Sequence, residues 1–394
     1  MNPLCLYNGT VMTSFAAMEN CAVYIEDGTV ADVFSKKRFE QKQFALDVEL
    51  VDVQGAYIAP GFIDTHIHGF GGHGTDDAAI SQEACTESVL AMSRDLCRYG
   101  VTAFNPTLYP SPPEEMLGAV RGVAAAMGHE QGARIMGLHL EGPFLSPDKL
   151  GVQRPETLQP VNIPFMEQLW EASGGHIINM TVAPELKGMR ELALYCIKKG
   201  IVLQAGHTDA RYENMVEGMQ AGILHATHLF NAMSRLDHRN PNAAGAVLIH
   251  PEISCEVIAD GFHIHPDIFK LLLRDKPIDR IVLVTDSLKP TEQEQGPFFA
   301  NGEEVEFRDG VFRRKADGVI AGSGLTMIRG VKNLRAFGFS LEDAVKTAGY
   351  NPAQVMRYKG KGSIIPGSDG DMVVFDQDFN IQLVTLGGAI KYRR

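Results

Sequence analysis

The chain has 394 residues, 45% hydrophobic and 21% charged, an ordinary globular composition with room for one large domain and a smaller appendage. Its net charge of −12, with no run of Lys and Arg longer than a few residues, offers no basic face and argues against nucleic acid or an anionic membrane as partner. The six cysteines form no CxxC pair and no framework spacing, so they read as reduced, mostly buried thiols of a cytoplasmic protein.

Residues 1–17 lack a basic start and a sustained apolar stretch, so no signal peptide is expected. No segment has the roughly 18 uninterrupted apolar residues of a membrane span. Residues 22–26 and 29–33 alternate in polarity around Asp27-Gly28, which predicts a β-hairpin. Eight apolar runs then alternate with helical stretches: 57–64, 101–106, 134–141, 177–183, 201–206, 225–228, 255–260 and 281–286. Amphipathic helices are expected at 83–99, 114–128, 187–199 and 266–274. Residues 297–322, with Asn301-Gly302 and Asp309-Gly310, predict an inserted β-hairpin before a helix at 325–337. The C-terminal segment is β-rich again, at 371–375, 381–386 and 389–392. Neither end is apolar enough to fold alone, so residues 1–57 and 362–394 are expected to build one small sheet domain together. The βα alternation predicts a (β/α)₈ barrel over 58–361.

The reactive side chains gather at one end of these runs. His66 and His68 close the first and Glu141 the third; His207 follows the fifth, His228 ends the sixth and Asp286 the eighth. Histidines scattered through a core would not sort themselves so, whereas a barrel carries its active site at the C-terminal strand ends. Alternate residues of a strand share a face, so His66 and His68 can reach one metal ion. Glu141 inside a barrel must be metal-bound or salt-bridged, because burying a bare carboxylate is too costly. His139, two residues earlier, is either a supporting group behind the ligands or a hydrogen-bonded core histidine. His207 and His228 complete an N/O set that suits Zn²⁺ or Fe²⁺, with Mn²⁺ or Co²⁺ as alternatives, while His225 reads as structural. Such a metal makes hydroxide available near neutral pH. Asp286 is then the natural proton shuttle between the attacking water and the leaving group. His263 could polarise the scissile carbonyl or hold a substrate hydroxyl. The cluster Gly69, Gly71, Gly72 and Gly74 lacks the GK[ST] of a phosphate-cradling loop and reads as a flexible turn. Arg239, in a polar loop, is the candidate phosphate ligand; the alternative is a solvent-facing arginine.

Eight stretches recur as a set: PGFIDTHIHG (60–69), GLHLEGPF (137–144), GHT (206–208), THLFNAM (227–233), ADGFH (259–263), VTDS (284–287), AGSGLTM (321–327) and GSIIPGSDGDMVVFD (362–376). With them the chain resembles the amidohydrolase superfamily and, within it, the N-acetylglucosamine-6-phosphate deacetylases. The resemblance implies a barrel with a β-sandwich made by both termini, usually as a homodimer. It also implies an amino-sugar phosphate substrate that is hydrolysed to free amino sugar and acetate. Residues matching Glu141, His207 and His228 would bind the main metal, and His66 and His68 admit a second one bridged by Glu141. Asp286 would give and take the proton. Asn231, Ala232, Arg239 and His263 would contact the sugar phosphate, Arg239 from its own or the neighbouring subunit, and Ile320, Ala321 and Gly322 would close over it. One departure stands out. Where the family commonly shows a Gly-small-His stretch that helps hold the substrate, this chain has Gly151, Val152, Gln153 and Arg154. That keeps open a shifted substrate, N-acetylgalactosamine 6-phosphate or another N-acetylated compound. Independently of this departure, a non-catalytic barrel scaffold is a further alternative, against which stands the full set of metal ligands.

Overall fold

Fully buried parallel strands need apolar, β-branched runs, because both faces are covered. The computed structural model, which describes residues 2–394, turns the eight runs into one parallel sheet wound in sequence order. Its strands are Phe62–Ile67, Val101–Leu108, Leu138–Glu141, Ile177–Val182, Val202–Ala205, His225–Ala226, Ser254–Ile258 and Ile281–Val284. Every residue of Val101–Leu108 and Ser254–Ile258 is buried. The eighth and first strands meet at a seam stitched partly by side chains. Asp286 N–H donates to the His66 carbonyl at 2.9 Å, and the Thr285 hydroxyl donates to Asp64 Oδ2 at 2.6 Å. Burial pushes the Asp64 carboxyl up to about 7, against the hydrogen bonds it accepts from Thr285 and His66.

The helices cover the outside of this sheet. Gln82–Leu96 starts at Ser81, whose hydroxyl accepts the Ala84 N–H at 3.1 Å, and it buries Val89, Met92 and Leu96. Met189–Lys199 stops at Gly200, whose φ of 83° is the left-handed stop that glycine adopts without penalty.

The two termini do share one sheet. Leu4–Met12, Ala17–Glu26, Thr29–Ser35, Glu49–Asp52 and Tyr57–Pro60 come from the N-terminal side, and Met372–Phe375, Ile381–Leu386 and Ala389–Arg393 from the other. Met372 pairs with Pro60 and Val374 with Ile58, joining the ends antiparallel. The expected hairpin forms, with φ of 49° at Asp27 and 79° at Gly28, the positive pair of a type I′ turn. Leu6, Val23, Ile25, Ile58 and Val374 make a core separate from that of the barrel. The β-sandwich built this way sits beside the barrel.

Three expectations need correction. The run 134–141 is broken at Met136-Gly137 into Arg134–Ile135 and Leu138–Glu141, both paired with Val101–Leu108. The run 57–64 is two strands, since Tyr57–Pro60 belongs to the sandwich and Phe62–Ile67 to the barrel. The chain crosses between them at Gly61, where a Cβ would stand 2.1 Å from Thr102 Oγ1. The insertion is a three-stranded meander rather than a hairpin: Phe298–Ala300, Glu303–Arg308 and Val311–Arg314. Its first strand is too short for alternation to reveal it. Ala300, Val305 and Phe312 pack with Tyr109, Leu288 and Ala321, which seats the meander over the barrel mouth.

Candidate active site

Three of the chemical side chains share a backbone device. His207, His228 and Asp286 each stand two residues beyond the end of a barrel strand, at φ of 46°, 25° and 50°. This left-handed region is uncommon for residues with a Cβ, and such conformations gather at functional sites. Glu141 is the last residue of its strand, and His66 lies within the first.

Five of the six expected groups converge on Glu141 or its near neighbours. Glu141 Oε1 lies 3.1 Å from His207 Nε2, 3.2 Å from His228 Nε2 and 3.5 Å from His66 Nε2. Glu141 Oε2 lies 3.3 Å from His68 Nε2, and Asp286 Oδ1 is 3.5 Å from both His66 Nε2 and His68 Nε2. Two triads result, Glu141/His207/His228 and His66/His68/Asp286, each with ligand atoms within 4.8 Å of one another. The residues fit a divalent ion on two observations. First, His207 Nε2 and His228 Nε2 face each other at 3.2 Å, and His66 Nε2 is buried without a hydrogen-bond partner. Second, the opposite nitrogens of two of the four histidines are held: His207 Nδ1 by the Lys149 carbonyl at 3.0 Å and His66 Nδ1 by Glu256 Oε2 at 2.9 Å. Those bonds assign the proton to Nδ1 and leave the Nε2 lone pair facing the site, as in metal-ligating histidines.

The electrostatics match. Burial pushes the Glu141 carboxyl up, but the imidazoles of His207, His228 and His66 around it outweigh burial and hold it well below the usual range. His66 goes the other way: burial disfavours its charge, and Glu256 and Asp286 more than compensate. His139, buried and next to His66, is held well below the usual histidine value and so is neutral. It bonds Thr181 Oγ1 at 2.9 Å and Thr107 Oγ1 at 3.1 Å, behind the site.

A cavity of about 290 Å³ opens above these groups. Val152, Gln153, Asn231, Ala232, His263, Ile320 and Gly322 line it beside His68, Glu141, His207, His228 and Asp286. Ala321 is buried just behind, in the meander's apolar cluster. Arg239 is exposed on its loop and does not reach the cavity of its own chain. His263 is aimed by Asp260, whose Oδ2 lies 2.6 Å from its Nδ1.

The pattern of the amidohydrolase family matches residues 57–391. The chain belongs to the amidohydrolase family. Within that family it stands with the N-acetylglucosamine-6-phosphate deacetylases. It is 32% identical to the Bacillus subtilis (strain 168) enzyme of that name, over 97% of this chain and 95% of the relative. It is likewise 32% identical to the human enzyme of that name, over 94% and 91% of the two chains. Among solved structures it is similar to a mutant N-acetyl-D-glucosamine-6-phosphate deacetylase from Mycobacterium smegmatis in complex with N-acetyl-D-glucosamine 6-phosphate. That match has a TM-score of 0.89 and 28% identity, and covers 99% of this chain and 100% of the other.

Some residues that matter in this amidohydrolase go unmarked in its sequence. Glu256 holds His66 Nδ1 and also accepts from Gln204 Nε2 at 3.0 Å and from the His228 N–H at 3.2 Å. A lone carboxylate inside the apolar stretch Cys255-Glu256-Val257-Ile258 was a usable signal, by the same argument that marks Glu141. Tyr109 stacks on His68 with ring centres 3.8 Å apart and planes 8° from parallel. It directly follows the long buried strand Val101–Leu108, with no pattern to single it out.

Proposed function

We propose that the chain hydrolyses the acetamide of N-acetyl-D-glucosamine 6-phosphate to D-glucosamine 6-phosphate and acetate. The observation that carries this reading is that Glu141, His207, His228 and Asp286 face one cavity. The chain around that cavity is similar along its length to deacetylases of this substrate. The triad Glu141, His207 and His228 would hold the first divalent ion, Zn²⁺ or Fe²⁺ with Mn²⁺ or Co²⁺ as alternatives, and His66 and His68 a second that shares Glu141. Bound there, the ion supplies Lewis acidity and brings the pKa of water towards neutrality.

Asp286 takes a proton from the attacking water as the oxygen bonds to the acetyl carbon. It returns that proton to the sugar nitrogen as the C–N bond breaks, so one carboxylate serves as base and then as acid. His263, with Nδ1 held by Asp260, presents Nε2 to the substrate, where it can hold a hydroxyl or polarise the carbonyl. Asn231, Ala232 and residues 320–322 enclose the sugar.

Among the described residues no Lys or Arg lines the cavity, yet a phosphate calls for a cation. Arg239, exposed on a loop beside the mouth, supplies one if two subunits pair so that each donates it to the other's cavity. A homodimer follows from that assignment. The six cysteines, all unpaired and buried, fit a cytoplasmic setting, and among the described residues no helix is long and apolar enough to cross a membrane.

The lack of a Lys or Arg in the lining and the presence of Gln153 favour one second reading, a different or unphosphorylated N-acetyl compound as substrate. Acetate release from N-acetylglucosamine 6-phosphate, N-acetylgalactosamine 6-phosphate and N-acetylglucosamine, each with and without chelator, separates the readings. Chelator-sensitive turnover of the first compound is expected. Turnover of plain N-acetylglucosamine alone would favour the second reading, and turnover of none would return the scaffold alternative.

A further inference from the structure

Gln153 is 2% exposed and lies at the wall of the cavity, and its amide is already engaged. Nε2 donates to Glu141 Oε2 at 2.6 Å, a short bond to a charged acceptor. On the other side, Asn301 Nδ2 donates to Gln153 Oε1 at 3.4 Å. Asn301 stands at the first turn of the meander, at φ of 52°, and its own N–H donates to Asp76 Oδ2 at 3.2 Å. A line of donors and acceptors thus runs from Asp76 through Asn301 and Gln153 to the carboxylate that both triads approach.

The two oxygens of Glu141 are used differently. Oε1 meets three imidazoles, whereas Oε2 meets only His68 and Gln153. Without Gln153, Oε2 keeps only His68 at 3.3 Å, the carboxylate plane is less restrained about its last torsion, and the geometry presented to His207 and His228 loosens. An amide suits this place for a physical reason: it donates without ever carrying charge. It does so in only one of its two orientations, because a flipped amide would set oxygen against oxygen. Asn301 selects the productive orientation by donating to the oxygen end.

We propose that Gln153 is a positioning residue for Glu141, and that Asn301, at the tip of the meander, fixes the Gln153 amide in turn. The meander is then part of the metal site and not only a cover for it. This rests on the reading of Glu141 as a metal ligand, so the test includes that residue. Partners that orient a metal ligand are typically worth about 10–100-fold in metal affinity.

The test is a Zn²⁺ titration of the purified, metal-stripped chain against a chromogenic chelator, with thermal unfolding to confirm that each variant is folded. Glu141→Gln serves as the control and is expected to abolish the tight site; if the ion still binds tightly, the ligand reading itself is wrong. Gln153→Leu is expected to weaken the tight ion by roughly 10–100-fold. Gln153→Glu is expected to weaken it at least as much, since two carboxylates would then compete for one position. Asn301→Ala is expected to show a smaller loss that disappears when Gln153 is already Leu, because the two act in series. A Gln153→Leu chain that keeps the wild-type Zn²⁺ affinity and only raises KM would make Gln153 a plain substrate contact and overturn the proposal. Losses that add in the double variant would overturn the link through Asn301.

Discussion

The two triads at the barrel mouth each combine two histidines with one carboxylate, Glu141 in one and Asp286 in the other, but to different tolerances. Glu141, His207 and His228 come from the third, fifth and sixth strand ends, and the two imidazoles approach one carboxylate oxygen at 3.1 and 3.2 Å. His66, His68 and Asp286 straddle the seam of the barrel, with contacts of 3.5 Å and a buried His66 Nε2 that has no partner. The first triad brings both its imidazoles onto a single carboxylate oxygen. The second leaves its carboxylate loosely held beside the cavity, where a proton carrier has to be. A ligand site benefits from being preorganised, while a general base must exchange partners during the reaction.

That contrast leads to four expectations, beginning with the largest effect. Asp286→Asn should cut turnover by about 10²–10⁴-fold, the usual contribution of a general acid–base group, while metal content measured by elemental analysis stays at the wild-type level. Normal turnover would remove Asp286 from its role. His207→Ala or His228→Ala should lower metal affinity about a hundredfold or more, since even an indirect partner of a ligand is worth 10–100-fold. His68→Ala should leave the first ion in place, and an equal loss from both sets would dissolve the distinction between the triads. Arg239→Ala should raise KM for the phosphorylated sugar by roughly 10–100-fold, the worth of a hydrogen bond to a charged group, and leave the unphosphorylated sugar unaffected. An effect on both sugars would place Arg239 elsewhere than at the phosphate.

The smallest effect concerns Asp260, away from both triads. Burial raises its carboxyl, but hydrogen bonds from His263 and the loop backbone outweigh this and hold it below its usual 3.8. A carboxylate depressed on folding adds stability that is complete above the unfolded value and is lost as pH falls through the folded one. Asp260→Asn should therefore lower Tm near neutral pH, and the gap to wild type should close below about pH 4. A gap that is constant with pH would mean that the charge of Asp260 does not matter.

Much of this arrangement is legible in the sequence because barrel geometry converts position along a strand into position in space. Once 134–141 and 281–286 read as strands, Glu141 and Asp286 fall at the same end of the barrel. The turns Asp27-Gly28, Asn301-Gly302 and Asp309-Gly310 are equally plain, since few residues accept positive φ in succession. What is not legible depends on long-range partners. The break at Gly61 is set by the nearby Thr102, and the first strand of the meander by its neighbour strand, and neither leaves a local pattern. The engagement of Gln153 with Glu141 joins a loop to a strand end, so its sequence neighbours could suggest a substrate contact but not this bond. Arg239 is plain as a charge in a polar loop, but it is exposed there and lies outside the cavity of its own chain.

The inequality of the two triads is most directly tested by titrating metal-stripped protein with Zn²⁺ in a calorimeter, comparing wild type, the double variant His66→Ala/His68→Ala, and Glu141→Gln. The expected result is one tight ion that survives in the double variant and vanishes in Glu141→Gln. Loss of the tight ion in the double variant, or its survival in Glu141→Gln, would contradict the assignment of the first ion to Glu141, His207 and His228.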